Sequence, residues 1–389
     1  MLTRIITEGT TRIEVPIPDE NSSFPPSSAA VFYNPAMRVN RDIAIAAIAH
    51  FSKVNPEYTY LDALSASGIR GLRIAKEIGL DTTMSDWDDS SFELIKRNIE
   101  LNSLSNCTAV KRNANVVMLD GSFDIIDLDP FGTPAPFIDA ACFSTKRLLC
   151  ITATDTAPLC GAHKKAGIRN YGAVPLKTEY YPEMGVRMLM GAVAKTLAKY
   201  DKSMTPLFSY ASAHYVRLFA SVKKGIKEAD ECLENMGFVS HCFNCGAREW
   251  KYGLAVHMEE KCPLCRHTTS LAGPLWLGKL HDREFCDGVL DEVKGREFKG
   301  AEKLIAACRD ELDVPMHYDY HKICKLLSIT AMPTDELILA LRDAGFQASR
   351  THFSGISFKT DAGMEEIKGI VRGLAGRSHE HTDSKLTLQ

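Results

Sequence analysis

Along its first 240 residues the chain alternates between two kinds of hydrophobic pattern. Short apolar runs of strand length (YTYLDAL, TTMSDW, CTAVKRN, FDIIDLD, RLLCITATD) are separated by GIRGLRIAKEI, SSFELIKRNIELNSL and PFIDAACFST, whose apolar positions recur at helical spacing. This β-α alternation predicts an α/β fold with a parallel, doubly wound sheet and right-handed crossovers. RIEVPIP reads as a short strand or hairpin, followed by the Pro/Ser loop NSSFPPSS and a helix from near Asn40 through IAIAAIAHF. Ser90 and Ser91 are the expected caps of their helix. PLFSYASAHYVRLFASVK predicts either two strands, completing the sheet as an antiparallel pair, or one long bent strand. Beyond the helix EADECLENMG lie a cysteine cluster and GPLWLGKL. From about Leu280 the character changes to charged amphipathic helices (FKGAEKLIAACRDEL, HKICKLLSI, PTDELILALRDAG) and a hairpin, FQASRTHF with GISFKT, in an order like that of a winged helix. Boundaries fall at residues 1–240, 241–268 and 269–389, with a disordered tail expected from residue 376.

At 389 residues more than one core is expected. The 45% hydrophobic and 24% charged content is that of a soluble globular protein. No uninterrupted apolar run reaches the ~20 residues of a membrane helix. MLTRIITEGTTRIEVP lacks the apolar core and cleavage site of a signal peptide, so a cytoplasmic location is expected. Of the twelve cysteines, Cys107, Cys142, Cys150, Cys160, Cys232, Cys286, Cys308 and Cys324 stand singly and read as small hydrophobes. The net charge of −3 conceals an uneven distribution. Residues 141–227 hold 14 Lys and Arg against 4 Asp and Glu, which reads either as a phosphate-contacting region or as a solvated basic face.

Candidate chemistry concentrates at strand ends. FDIIDLDPFG must end its strand near Pro130, which has no N–H for a ladder. Asp129 and Phe131 then stand at the carboxyl end of a sheet strand, where such sheets place ligands. A carboxylate beside a flat ring suits a planar base with an exocyclic amine; the other reading is a plain turn with Phe131 in the core. In DALSASGIRG, small residues between a strand and a helix let a cofactor approach the backbone and the free N–H groups of the helix start. The dinucleotide pattern G-x-G-x-x-G is absent, which argues against a hydride-transferring oxidoreductase. Asp86, ending the next strand, is placed to take ribose hydroxyls, with Asp88 and Asp89 preferred as helix caps. Asn113 and Ala114 follow the third strand, where an adenine edge would lie. Cys242 and Cys245, with Cys262 and Cys265, form two C-x-x-C knuckles with 16 residues between them, the spacing of a closed, structural zinc ribbon. His241 and His267 flank this complete shell as bystanders. Finally, Lys164, Lys165, Arg169 and Lys177 lie among Tyr171, Tyr180 and Tyr181, a mixture that suits a phosphate track with stacking sites.

Four segments, FYNPAMRVNRD, LDALSASGIRG, IDLDPFGTP and TATDTAPLCGAH, resemble the signatures of the tRNA (guanine-26-N(2))-dimethyltransferases. GPLWLG, YDYHKI and RTHFSGI are similar to that family's second domain, so the resemblance runs from about residue 5 to about residue 360. It implies a Rossmann-like class I methyltransferase sheet, a zinc-ribbon module and a smaller α+β C-terminal domain that binds tRNA. It further implies S-adenosylmethionine as cofactor, the N(2) amine of guanosine 26 as acceptor, and no membrane or obligate protein partner. Carried over by motif, Arg41, Arg70, Asp86, Asn113 and Ala114 bind the cofactor, Phe32 and Phe131 sandwich the base, and Asp129 is the catalytic acceptor. The family's pair after the third strand is acidic-then-alanine; here Asn113 can accept through its amide carbonyl. The alternatives are a DNA or protein amide methyltransferase, although those families commonly carry two prolines before the aromatic, and a non-catalytic zinc-ribbon RNA-binding protein.

Overall fold

The computed structural model describes residues 2–17, 31–212 and 214–386. The Pro/Ser loop anticipated at NSSFPPSS lies outside these residues. An N-terminal hairpin, β1 (Thr3–Glu8) and β2 (Thr11–Pro16), is followed by α1 (Arg38–Ser52). The alternation then runs β3 (Thr59–Asp62), α2 (Ile69–Glu77), β4 (Asp81–Asp86), α3 (Asp89–Leu101), β5 (Cys107–Lys111), α4 (Ala114–Asp120), β6 (Phe123–Leu128), α5 (Ala135–Ser144) and β7 (Thr145–Ala153). The helices α6 (Thr156–Leu159), α7 (Lys164–Tyr171) and α8 (Tyr181–Ala198) lead into β8 (Lys202–Ser212) and β9 (Tyr215–Lys224). These seven strands form one sheet in the order β5-β4-β3-β6-β7-β9-β8, parallel except that β9 is antiparallel to both β7 and β8. The expected antiparallel pair is therefore present. Asp88, rather than Ser90 or Ser91, caps α3, accepting the Ser91 N–H at 2.9 Å; the serines lie inside the first turn.

Neighbouring residues on the central strands feed opposite faces, as the pleat requires. Leu61, Ile126 and Leu149 pack toward α4, α5 and α8, while Tyr60, Ile125 and Leu148 pack toward α1. The second face is completed by two helices, of which the hydrophobic pattern singled out the second (FKGAEKLIAACRDEL) and not the first. After α9 (Ile226–Leu233), β10 (Met236–His241), β11 (Arg248–Tyr252) and β12 (Ser270–Trp276) come α10 (Arg283–Gly295) and α11 (Glu302–Asp310). Phe285, Val289 and Val293 of α10 and Ile305 of α11 share the core of α1. Because α1 is buried over residues 40–49, it needs a cover on its outer side, and α10 supplies it. The sequence boundary at residue 269 therefore does not coincide with a break in packing. Farther on, β13 (Tyr318–Asp319), α12 (Tyr320–Leu327), α13 (Thr334–Asp343), β14 (Ala348–Arg350), β15 (Ser357–Thr360) and α14 (Met364–Leu386) enclose a separate core, built on Tyr318, Leu337, Leu341, Phe358 and Ile367. The tail expected to be disordered continues α14 to Leu386. Ile367 and Val371 anchor its first turns, and with the nucleus in place each further residue adds a backbone hydrogen bond.

A buried charge cluster joins this small unit to the sheet. Glu183 of α8 accepts the N–H groups of Met316 and His317 at 2.9 and 2.8 Å, and pairs with Arg187 at 2.8 Å and Lys359 at 3.2 Å. Lys359 also reaches Glu311 at 2.7 Å. Burial alone would raise the Glu183 carboxyl, but Lys359, Arg187 and His317 hold it well below the usual range.

Strands β11-β10-β12 form a three-stranded sheet carrying the cysteine knuckles in the loops that follow β10 and β11. The thiols of Cys242 and Cys265 are 3.4 Å apart, those of Cys245 and Cys262 are 3.6 Å apart, and all four lie within 4.8 Å of one another. A tetrahedral zinc with bonds of ~2.3 Å needs sulfurs about 3.8 Å apart, so the thiols fit the ion. Gly246 at φ +78° and Arg266 at φ +62° turn the two knuckles, and each donates its N–H to the first cysteine carbonyl of its pair at 2.9 Å. His241 and His267 stand outside the cluster, as expected. The eight single cysteines are buried or half-buried.

Two outcomes follow for stability. Glu183→Gln leaves Arg187 and Lys359 buried with one fewer anion, and denaturant unfolding should show a loss of about 3–5 kcal/mol. Since the Glu183 carboxyl is depressed, its contribution is present above pH 4.5 and is lost as the pH falls below that value. Cys262→Ser should remove one zinc per chain by elemental analysis and lower the melting temperature, because zinc affinity in a closed thiolate site is folding free energy.

Candidate active site

Parallel strands β3 and β6 pair Asp62 with Asp127, so the carboxyl end of the sheet gathers Asp62, Asp127 and Asp129. Such a concentration of acid is tolerable only with buried cations. Arg217 of β9 reaches both oxygens of Asp127 at 2.7 and 2.6 Å, and donates to Thr152 at 2.8 Å. Arg70 of α2 donates to Asn40 at 2.9 Å and forms an ion pair through Nη2 with Oδ2 of Asp129. Its Nη1 lies 3.7 Å from Asp127, is buried, and has no hydrogen-bond partner among the described residues. Burial works against the Asp127 charge, but Arg217 and Arg70 keep its carboxyl below the ordinary value. Asp62 lacks so close a cation. Burial, with Asp127 and Asp129 adding and Arg70 and the Gly71 N–H opposing, pushes it up to about 7.

Beyond Asp129 the chain turns at Pro130 and presents Phe131. Gly132, at φ +97°, donates its N–H to the Thr154 hydroxyl at 2.8 Å, and the Thr154 N–H returns to the Gly132 carbonyl at 3.0 Å. The ring of Phe131 is 74% exposed, which removes the reading of Phe131 as a core residue. Half-buried Phe32 meets it edge-on, with ring centroids 5.6 Å apart and planes at 63°. Asp129, Phe131 and Arg70 are thus brought together, with Phe32 on the facing segment. Arg41 is placed differently: Glu8 takes its Nε and Nη2 at 2.7 Å each, and its Nη1 donates to the Asn34 carbonyl at 3.2 Å. It fixes the segment that carries Phe32.

On the other side of β3, a cavity of about 280 Å³ opens between Asp86, Asn113 and Ala114. Asp86 accepts the Ala66 N–H at 2.8 Å and the Asp88 N–H at 3.0 Å, which ties the small-residue loop to the end of β4. Asn113 caps α4, its carbonyl taking the Asn115 N–H at 2.9 Å. That bond takes one of the carbonyl's two lone pairs, so the anticipated acceptor remains beside the amide hydrogens. Trp87 (75% exposed), Phe137 and Leu64 also line this cavity. The sequence reading missed them. Trp87 carried a signal, as an aromatic directly after the ribose-binding position; Phe137 carried none. Asp88 is a cap, as expected, and Asp89 pairs with Lys111.

The basic and aromatic segment is only partly available. Tyr171 and Tyr180 are buried, the former donating to Asp155 at 2.6 Å, whereas Tyr181, Lys164, Lys165, Arg169 and Lys177 are exposed. Two of the arginines in the local basic excess, Arg187 and Arg217, are buried in ion pairs. Among the described residues, no helix is long and apolar enough to cross a membrane.

Comparison with known proteins bears on this arrangement. The family described as N2,N2-dimethylguanosine tRNA methyltransferase matches residues 9–372. A tRNA (guanine(26)-N(2))-dimethyltransferase of Methanosarcina mazei is 53% identical over 97% of this chain and 100% of its own length. One from Haloarcula marismortui is 45% identical over 93% and 98%. Among solved structures, that of Trm1 from Pyrococcus horikoshii in complex with S-adenosyl-L-methionine superposes with a TM-score of 0.84 at 36% identity, covering 95% of this chain and 99% of that one. By its match over nearly the whole length, and by relatives of this closeness, the chain belongs to the N2,N2-dimethylguanosine tRNA methyltransferase family.

Proposed function

We propose that this chain transfers methyl groups from S-adenosylmethionine to the exocyclic N(2) amine of guanosine 26 in tRNA, in the cytoplasm, where the zinc thiols stay reduced. The observation that carries the reading is the carboxylate of Asp129 beside the exposed ring of Phe131 at the carboxyl end of β6, with Arg70 beneath it. Family membership removes the DNA, protein and non-catalytic alternatives.

The cofactor supplies an activated methyl on a sulfonium. Its adenosine fits the cavity at Asp86, Asn113 and Ala114, with Trp87 and Phe137 as apolar walls. Its carboxylate suits Nη1 of Arg70, which has no hydrogen-bond partner among the described residues, and its ammonium suits Asp62. Phe32 and Phe131 take the faces of the flipped guanine. The guanine amine is a poor nucleophile because its lone pair is delocalised into the ring. Asp129 has Oδ2 engaged by Arg70; its Oδ1 would accept one amine hydrogen, hold the lone pair toward the methyl and take the proton when the methyl passes from the sulfonium sulfur, left as a neutral thioether, to the amine nitrogen. Arg41 serves by holding the Phe32 segment through Asn34.

Asp129→Ala should lower kcat by about 10²–10⁴-fold with unmodified tRNA, read as dimethylguanosine by nucleoside mass spectrometry, while cofactor affinity by calorimetry stays near wild type. Retained activity would remove Asp129 from this role. A second expectation concerns pH. Asp62 faces Arg70, Asp127 and Asp129 and titrates at about 7, so below that pH it must lose a proton to receive the ammonium. Cofactor affinity should rise with pH up to about 7 and then level off, and calorimetry in two buffers near pH 6 should detect proton release that Asp62→Asn abolishes.

A further inference from the structure

A second cavity, of about 460 Å³, shares no lining residue with the cofactor cavity. Its floor is apolar, built from Ala211 of β8 and Val216 of β9. Its walls are three aromatic rings: Tyr181, half exposed at the start of α8; Tyr215; and Phe353. Phe353 comes from the loop after β14 and stacks on His317 at 5.1 Å, so the small C-terminal unit supplies one wall. Lys177 stands exposed at the rim, and neighbouring α7 exposes Lys164, Lys165 and Arg169.

The sheet register locates this cavity relative to the reaction. Leu128, just before Asp129, pairs with Ile151 of β7; Ala153 of β7 pairs with Val216, and Val216 with Ala211. At ~4.8 Å per strand, the floor lies two to three strands, roughly 10–15 Å, from Asp129, at the same end of the sheet. A short stretch of nucleotide strand spans that distance. The volume is that of a small-ligand site. Aromatic faces with a cation at the rim are the means by which proteins hold unstacked bases and their phosphates.

We propose that this groove holds a second base of the tRNA, from a nucleotide neighbouring the target guanosine, with Tyr181 and Phe353 as stacking faces and Lys177 on its phosphate. This rests on the tRNA reading above. It gives the exposed part of the basic and aromatic segment a task, and it makes the C-terminal unit a direct contributor to strand binding beside the active site.

The test uses the full-length protein and unmodified tRNA. Tyr181→Ala should raise the tRNA KM about 5- to 150-fold, the range expected for one stacked base, and Tyr181→Phe should restore it. Lys177→Ala should raise KM and flatten its salt dependence. Cofactor affinity should stay at the wild-type value in all three. With wild-type protein, a tRNA lacking the base beside the target should show a similar rise in KM, and Tyr181→Ala should add little to it. Wild-type KM for both the abasic tRNAs and Tyr181→Ala overturns the proposal. If Tyr181→Ala fails to fold, the abasic tRNAs alone decide it. Failure of the wild-type protein to methylate any tRNA would instead strike at the functional reading.

Discussion

The site depends on the run of alternating charge Asp129–Arg70–Asp127–Arg217, which passes from the exposed end of β6 into the interior of the sheet. Asp127 and Arg217 have no exposed side-chain surface, and a single unpaired charge at that depth would be prohibitive. Each member is tolerable because its neighbours are present. Arg217 keeps Asp127 ionised, Asp127 and Asn40 keep Arg70 in place, and Arg70 fixes one oxygen of Asp129. The antiparallel strand β9 is therefore more than an extension of the sheet, since it delivers the deepest cation. The packing of α2 is equally constrained: a Cβ on Gly71 would lie 2.4 Å from the Met84 side chain, so only glycine lets the helix carrying Arg70 sit this close to β4.

This dependence explains the division of labour among the acids. Asp127 is spent on structure. Asp129, at the end of the run and partly exposed, has one oxygen oriented by a cation. Asp62, beside Asp127 in the register but with only the Gly71 N–H at 3.0 Å as a close donor, keeps a high proton affinity. Three carboxylates within one strand-end cluster thus acquire three different properties from their burial and their partners.

What the sequence disclosed and what it withheld have the same physical origin. Strand ends, turns and cysteine knuckles are local, so the β-α alternation, the proline after Asp129 and the two C-x-x-C pairs were legible. Exposure and partnering are tertiary. Nothing local distinguishes buried Tyr180 from exposed Tyr181, or the ion-paired Arg187 and Arg217 from the free lysines of α7. Arg41 read as a cofactor ligand because its motif is also local, whereas its partner Glu8 arrives from a hairpin 33 residues away. Asn113 read as an acceptor because its side chain has one; that the same oxygen also caps α4 was not legible, because it depends on where the helix starts. Helix α10 was passed over because the residues that need it, the fully buried face of α1, lie some 240 residues earlier.

The two phenylalanines show what the substrate must supply. Their centroids are 5.6 Å apart and edge-on, a contact worth about 0.5–1.5 kcal/mol. A base held between two parallel faces needs about 7 Å, two van der Waals gaps of ~3.5 Å. On the proposed reading, the rings in contact close the space the guanine would fill, and admitting it would cost their mutual contact. Stacking returns ~1–3 kcal/mol per base, which exceeds that cost only when the base lies well between the faces. Phe131 is tied down by Pro130 and the Gly132–Thr154 pair, so the adjustment falls on Phe32. Its segment is tied to Arg41 through the Asn34 carbonyl and directly to Glu8 through the Tyr33 hydroxyl at 3.1 Å, and Glu8 in turn grips Arg41. On the proposed reading, Glu8, which takes both Arg41 and Tyr33, would limit how far the second face can yield, and the hairpin at the start of the chain would share in admitting the base.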